Sequence, residues 1–291
     1  MGDSERNVAQ HRPISLFPQR PGEPSPGWVS ALGAWAVEVY QFTRRLFRTL
    51  LRAFAPGQAA SASARSVSAR ILVRQVFFTG FEALPLISII AVLVGATIVL
   101  QTQLVAVLPE NLLGTVLVAV VLREVAPLTT AIIVAGRSGT AVATELGNMQ
   151  VNDEILGLRS IGIDPYRFVV RPRLIGIVTS VLVLTVYFGA MAILGGYLAT
   201  MALGAGSFDA IRAGFKSALL PGDFPLFLLK GTGLGIVVGW LCCHFGLEVD
   251  SSPTEVPQRA SQAVVLGMLT CVILNTLVTI AFYSLVGPPV R

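Results

Sequence analysis

Five stretches of almost uninterrupted apolar residues, at about 84–108, 112–135, 174–203, 225–245 and 263–286, dominate the chain. Each is close to the roughly 20 residues that a helix needs to cross the hydrocarbon of a bilayer. Only Pro109-Glu110-Asn111 separates the first two, which predicts a tight helical hairpin. A different pattern precedes them. Trp28, Leu32, Trp35, Val39, Phe42, Leu46, Leu50 and Phe54 recur every three or four positions, on one face of a helix. Arg44, Arg45, Arg48 and Arg52 lie in the same stretch. A helix of this kind fits the plane of a membrane surface, with indoles at the headgroups and arginines on anionic lipid. Residues 56–70, alternating Ala and Ser after Pro56-Gly57, read as a loop or weak helix. Residues 1–27 are polar and proline-rich and are expected to be a disordered cytoplasmic tail. The pattern therefore predicts an all-α membrane protein: a tail (1–27), an interfacial amphipathic helix with linker (28–70), and a domain of about five transmembrane helices (71–291).

Composition agrees with the pattern. Apolar residues make up 54% of the 291 positions and charged residues 13%, with a mean hydropathy of +0.74. Soluble domains carry roughly 25% charged residues, so this chain lacks the charge to cover a water-facing surface. Ten of its 21 Lys and Arg precede residue 75, so the net charge of +5 is local. A nucleic-acid binder needs a basic, water-exposed folded face, and no nucleic-acid partner is expected. With the N-terminus in the cytoplasm, 16 basic residues flank the spans inside and three outside. By the positive-inside rule the N-terminus is cytoplasmic, and five spans leave the C-terminus on the outer side. No apolar stretch follows the first charges as a secretory signal would require. Cys242, Cys243 and Cys271 sit in apolar runs, read as packing residues, and no metal ligand is expected. No internal repeat divides the spans into halves, which argues against an inverted-repeat transporter.

The informative polar residues are those inside the apolar runs. Arg123 and Glu124 fall at the middle of the second stretch, where each charge costs about 2.5–3.5 kcal/mol on insertion scales. Neighbours on a helix point about 100° apart, so the two need not pair with each other. They are candidates for substrate contact or gating, or for a polar network inside the bundle. Pro127 leaves a backbone carbonyl without its donor at that level. Ala135, Gly139, Ala143 and Gly147, and again Gly231, Gly235 and Gly239, form small-residue stripes that let helix backbones come close. Lys230 is placed near enough to the outer boundary to snorkel, and Asn275 to bond between helices. Residues 148–173 are the main hydrophilic segment. Asn152 is read as the cap of a short helix carrying Asp153 and Glu154 in its first turn and ending near Ser160 and Gly162. Asp164-Pro165 starts the next helix and Pro172 opens the third span. The short helix, with Asp153, Glu154, Leu156, Leu158 and Arg159, and Asp164 just beyond it, stands in a cytoplasmic loop as a docking knob for a partner.

The run VVLREVAPLTTAIIVAGRSGTAVATELGNM (120–149), followed by GIDPYRFVVRPR (162–173), resembles the MlaE/YrbE permease family. LVRQ (72–75) and Leu100-Gln101 resemble it too, and the likeness covers about residues 70–285. The signature falls on Gly136, Arg137, Gly139, Glu145, Gly147, Pro165, Pro172 and Arg173. The resemblance implies a homodimeric permease of an ABC-type lipid transporter in the inner membrane. It implies a cytoplasmic ABC ATPase, a periplasmic MCE-domain carrier, in some members a STAS-domain subunit, and phospholipid as cargo. It also makes the 150–160 helix the ATPase-coupling element, and adds Gln101 to the candidates Arg123 and Glu124. The chain itself has no G-x-x-x-x-G-K-[ST] loop, so ATP and Mg belong to the partner ATPase and no cofactor is expected on this chain. One departure is EVPQRASQAVV before the last span, where Gln258 and Gln262 stand at family arginine positions.

Two other readings compete. An ion-coupled transporter would use Arg123 and Glu124 as a relay. An intramembrane serine protease would use Ser138, in Gly136-Arg137-Ser138-Gly139, with His244.

Overall fold

The structure is a computed structural model that describes residue 44, residues 62–104, 117–202, 223–250 and 252–286. The chain divides into two units, Met1–Arg45 and Leu46–Arg291, and the helices described below all belong to the second. The tail, the amphipathic helix (Arg44 apart, which is helical) and the Pro109-Glu110-Asn111 hairpin turn lie outside the described residues.

The described residues are helical, with no strand among them. In chain order they form α1 (Ala62–Thr79), α2 (Leu84–Leu104), α3 (117–151), the short α4 (Glu154–Ser160), α5 (165–202), α6 (Asp223–Leu247) and α7 (Glu255–Val286). Among the described residues, five stretches are long and apolar enough to cross a membrane: Val67–Thr102, Val118–Val151, Tyr166–Ala202, Phe224–Leu247 and Glu255–Ser284. They coincide with the five apolar runs, but the first three reach further than hydropathy alone suggests. The first begins at Val67 rather than near residue 84, because α1 belongs to it; α1 in turn starts inside the segment whose sequence reads as loop or weak helix. Pro85 separates α1 from α2: it cannot donate to the Phe81 carbonyl and its ring would clash there, so a 3-10 turn (Phe81–Ala83) intervenes. One buried stripe nevertheless runs through both helices at every fourth residue, Gln75, Thr79, Ala83, Ile87, Ala91, Gly95 and Val99. It packs on α5.

Three stretches of π-helix interrupt the long helices: Leu117–Val125 and Ala135–Gly139 in α3, and Tyr166–Val170 in α5. Two of them precede prolines, Pro127 and Pro172. Widening the turn relieves the clash of the proline ring with the carbonyl four residues back. Pro172 therefore lies inside α5, not at its start, where the sequence pattern places it. The third wide turn exposes carbonyls that Thr140 Oγ1 covers, bonding to Gly136 O at 2.8 Å and Arg137 O at 2.9 Å.

α6 is the most enclosed span, with 61% of its apolar window buried, and α7 the least, at 22%. The small-residue stripes explain the centre of the bundle. A Cβ at Gly139 would lie 2.7 Å from Cys242 Sγ, and one at Gly246 would lie 2.8 Å from Ala143 O, so the α3 stripe faces α6. Gly231, Gly235 and Gly239 face Leu182, Val178 and Leu174 of α5 in turn. Both stripes are packing faces. The outer faces of α2 and α7 carry Leu86, Ile89, Leu93, Leu269, Ile273 and Leu277, all exposed, as suits helices solvated by acyl chains.

Candidate functional site

Glu124 on α3, Lys230 on α6 and Thr279 on α7 meet where the three helices adjoin. Lys230 Nζ donates to Glu124 Oε1 at 2.9 Å, to Thr279 Oγ1 at 2.7 Å and to the Arg123 carbonyl at 2.6 Å. Those acceptors use all the protons of an ammonium. The Arg123 carbonyl is the one that Pro127 leaves without an i+4 donor, so a lysine from another helix replaces the missing backbone N–H. Glu124 is held further by Asn275 Nδ2, 2.8 Å from Oε2, and by the Thr279 hydroxyl, 2.9 Å from Oε1. Arg123 places Nη1 3.4 Å from the Tyr283 hydroxyl on α7. Lys230 has a side chain only 1% exposed, against 34% for Glu124.

One expectation from the sequence is corrected by this geometry. Lys230 does not snorkel to the boundary; it points inward, to an ion pair with Glu124 and to the orphan carbonyl of Arg123. Glu124 takes part in a polar network inside the bundle. Gln101, exposed on α2, shares no hydrogen bond with it among the described residues.

The family-signature residues gather at other levels. Arg137, turned by the Ala135–Gly139 wide turn, reaches the break between α1 and α2. Its Nη2 meets Glu82 Oε2 at 2.8 Å, its Nη1 the Phe78 carbonyl at 3.1 Å, and its guanidinium lies over the Phe78 ring. It thereby caps a carbonyl that the end of α1 leaves without a helical partner. Arg137→Ala is expected to cost about 1–2 kcal/mol, the loss of a half-exposed charge-assisted bond and a carbonyl cap. Thermal unfolding of the purified variant checks this. Glu145 and Arg173 join α3 to α5 at 2.9 Å. Gly136 faces Met268 of α7, and Gly147 faces Val249 and Val256.

The α4 segment forms as expected, but its entry differs. Asn152 ends the preceding helix, its N–H bonding to Asn148 O at 2.9 Å, and the cap is Asp153, in the left-handed region at φ 57° and without a side-chain cap bond. One extra residue is needed to reverse direction after α3, which displaces the cap. At the other end Gly162 (φ 79°) bonds to Arg159 O and Ile163 N to Leu158 O, a Schellman closure. Asp164 Oδ1 accepts from Tyr166 N at 3.0 Å, capping α5 with Pro165 in its first position, as the sequence predicts. Only Ile155 of α4 is buried; Asp153, Glu154, Leu156, Arg159 and Ile161 are exposed, and Leu158 is half-buried. Arg159 and Asp164 also border an open hollow beside Tyr166.

Ser138 is fully buried and its Oγ has no hydrogen-bond partner among the described residues. No Ser138–His244 bond exists; His244 Nε2 lies 3.5 Å from Glu248 Oε1 instead. Among the described residues no cluster of His, Cys, Asp and Glu could hold a metal ion.

A bundle of five apolar helices, with the Lys230 end of an ion pair buried among them and a short exposed helix at the opposite end, fits a multi-pass membrane protein. Residues 72–281 match the family described as Permease MlaE, and the chain belongs to that family. It is 29% identical over 217 residues to a probable ABC transporter permease of Rickettsia prowazekii, covering 74% of this chain and 83% of the relative. It is 27% identical over 219 residues to the intermembrane phospholipid transport system permease protein MlaE of Haemophilus influenzae, with the same shares covered. It is 28% identical over 179 residues to the chloroplastic protein trigalactosyldiacylglycerol 1 of Arabidopsis thaliana, covering 62% of this chain and 51% of that one.

Proposed function

We propose that this chain is the permease subunit of an ATP-driven transporter that moves phospholipid between the inner membrane and a periplasmic MCE-domain carrier. The observation that carries the reading is the family match along 72–281. The phospholipid-transport name of the Haemophilus influenzae relative supports the cargo. Two copies of the chain enclose the lipid path, with the N-terminus in the cytoplasm and the C-terminus in the periplasm, as the distribution of arginines favours. ATP and Mg bind on a separate ABC ATPase, which docks on α4 through the exposed Leu156, Arg159 and Ile161. A STAS-domain subunit is compatible with this arrangement. At the far end, Arg123 offers a guanidinium to lipid phosphate once Tyr283 moves aside, and the Glu124–Lys230 pair ties α3 to α6 in the present state.

The test is a mild-detergent pull-down of the tagged full chain from its native membrane, with mass spectrometry of proteins and lipids. A P-loop ATPase, an MCE-domain protein and phospholipid are expected. A Leu156→Glu/Ile161→Glu chain should recover about tenfold less ATPase, the effect of roughly 1.4 kcal/mol of lost contact. A chain that purifies alone overturns the reading. Proton-driven transport by that chain alone in vesicles would establish the ion-coupled alternative through Glu124.

A further inference from the structure

A second polar site lies on the same helical run as the Glu124 network, toward its other end. Glu145 follows Glu124 by 21 positions on α3, about 32 Å along the helix. That is close to the roughly 30 Å thickness of bilayer hydrocarbon. Beside Glu145 is a cavity of about 270 Å³ between α1, α3 and α5. Ile71, Phe78 and Val142 give it an apolar wall; Arg74, Glu145 and Arg173 give it a polar one.

The polar wall carries more cation than its carboxylate neutralises. Arg173 is 5% exposed and spends Nη2 on Glu145, with Met149 Sδ at 3.9 Å as a weak second contact. Its Nη1 is buried with no hydrogen-bond partner among the described residues. Arg74 is exposed and makes no ion pair among those residues. Two guanidiniums thus stand against one carboxylate at a membrane boundary, beside an apolar surface.

We propose that this cavity binds the phosphate headgroup of an anionic lipid in the leaflet at that end of the bundle, apart from the transport path. The volume suits a headgroup and not a whole lipid, since pockets that enclose drug-sized ligands run to about 300–1,000 Å³. Guanidinium pairs match phosphate oxygens in geometry as well as charge. The surplus positive charge selects an anionic headgroup over a zwitterionic one, and Ile71 and Phe78 meet the first carbons of the acyl chains. A lipid held here fixes α1 against α3 and α5. The inference rests on the membrane-spanning character of the chain and not on the transport reading.

The test uses the full chain, purified in detergent, delipidated, and titrated with phosphatidylglycerol, phosphatidylcholine or diacylglycerol under native mass spectrometry. Phosphatidylglycerol should be retained, one per chain, under activation that strips the other two. Arg74→Glu, on the exposed side of α1, should keep its elution profile and lower that retention about tenfold. Arg259→Glu, a charge reversal near the start of α7 at a residue that does not line the cavity, should leave retention unchanged. Loss of retention in Arg259→Glu with none in Arg74→Glu would overturn the proposal. Equal retention of diacylglycerol would overturn it too. Displacement of phosphatidylglycerol by millimolar inorganic phosphate as readily as by the lipid itself would show a free-phosphate site instead. No ATPase is needed for this measurement, so its outcome is independent of the transport reading.

Discussion

Glu124→Ala is expected to destabilise the chain by about 3–5 kcal/mol, and Lys230→Met by only about 2 kcal/mol, although the two form one ion pair. The asymmetry comes from what each change leaves behind. Without Glu124, the Lys230 ammonium stays in a site that is 1% exposed, with the Arg123 carbonyl and the Thr279 hydroxyl as its remaining acceptors. Solvent has no access to share its charge. Without Lys230, the Glu124 carboxylate keeps Asn275 and Thr279 and is 34% exposed, so solvent takes part of the load. The principal loss is then the Arg123 carbonyl, which Pro127 cannot serve. The double variant Glu124→Ala/Lys230→Met should be more stable than Glu124→Ala alone, because it removes the stranded charge. Thermal unfolding of the purified chains completes the cycle. Additive penalties would show that the two side chains do not interact.

The same network shows what a single sequence carries. Five spans are legible because each apolar run is near the bilayer thickness, and Arg123 and Glu124 stand out by their cost in such a run. Their partners are not legible. Glu124 bonds to residues 106 and 155 positions away, and nothing local encodes which helices adjoin or at what depth. Lys230 looks like a boundary residue when counted along its own helix alone. One signal is present: Pro127 announces an orphan carbonyl at Arg123, and an intramembrane lysine is a natural donor for it. The wide turns are also hidden, since they shift the helical phase by one residue without altering composition. That shift explains why Arg137 clamps the α1–α2 break, and a similar one-residue demand moves the α4 cap from Asn152 to Asp153. Small-residue spacing, by contrast, reads correctly as packing, because a four-residue period makes a continuous groove whatever helix fills it.

The closest helix crossing among the described residues should tolerate substitution poorly: Gly95→Ala or Gly195→Ala is expected to cost about 3 kcal/mol or more. α2 and α5 meet there backbone to backbone. A Cβ at Gly95 would collide with the carbonyl of Ala192, and one at Gly195 with the carbonyl of Val92. The obstacle is reciprocal and consists of main chain on both sides, so no rotamer change relieves it; one helix must move away. Moving it would strain the Ser88–Tyr187 hydroxyl contact at 2.6 Å and open the stripe from Ile87 to Val99. Lipid cannot restore the loss, since acyl chains are as apolar as the side chains they replace and close packing is what holds membrane helices together. Gly233→Ala is the matched control. Its Cβ would lie 3.6 Å from Leu274 Cδ2, an ordinary contact, and the helix should gain about 0.5–1 kcal/mol. Melting temperature and a monodisperse elution profile read both changes. If Gly95→Ala melts as the parent does, α2 and α5 are not in backbone contact, and the reciprocal glycine crossing is wrong.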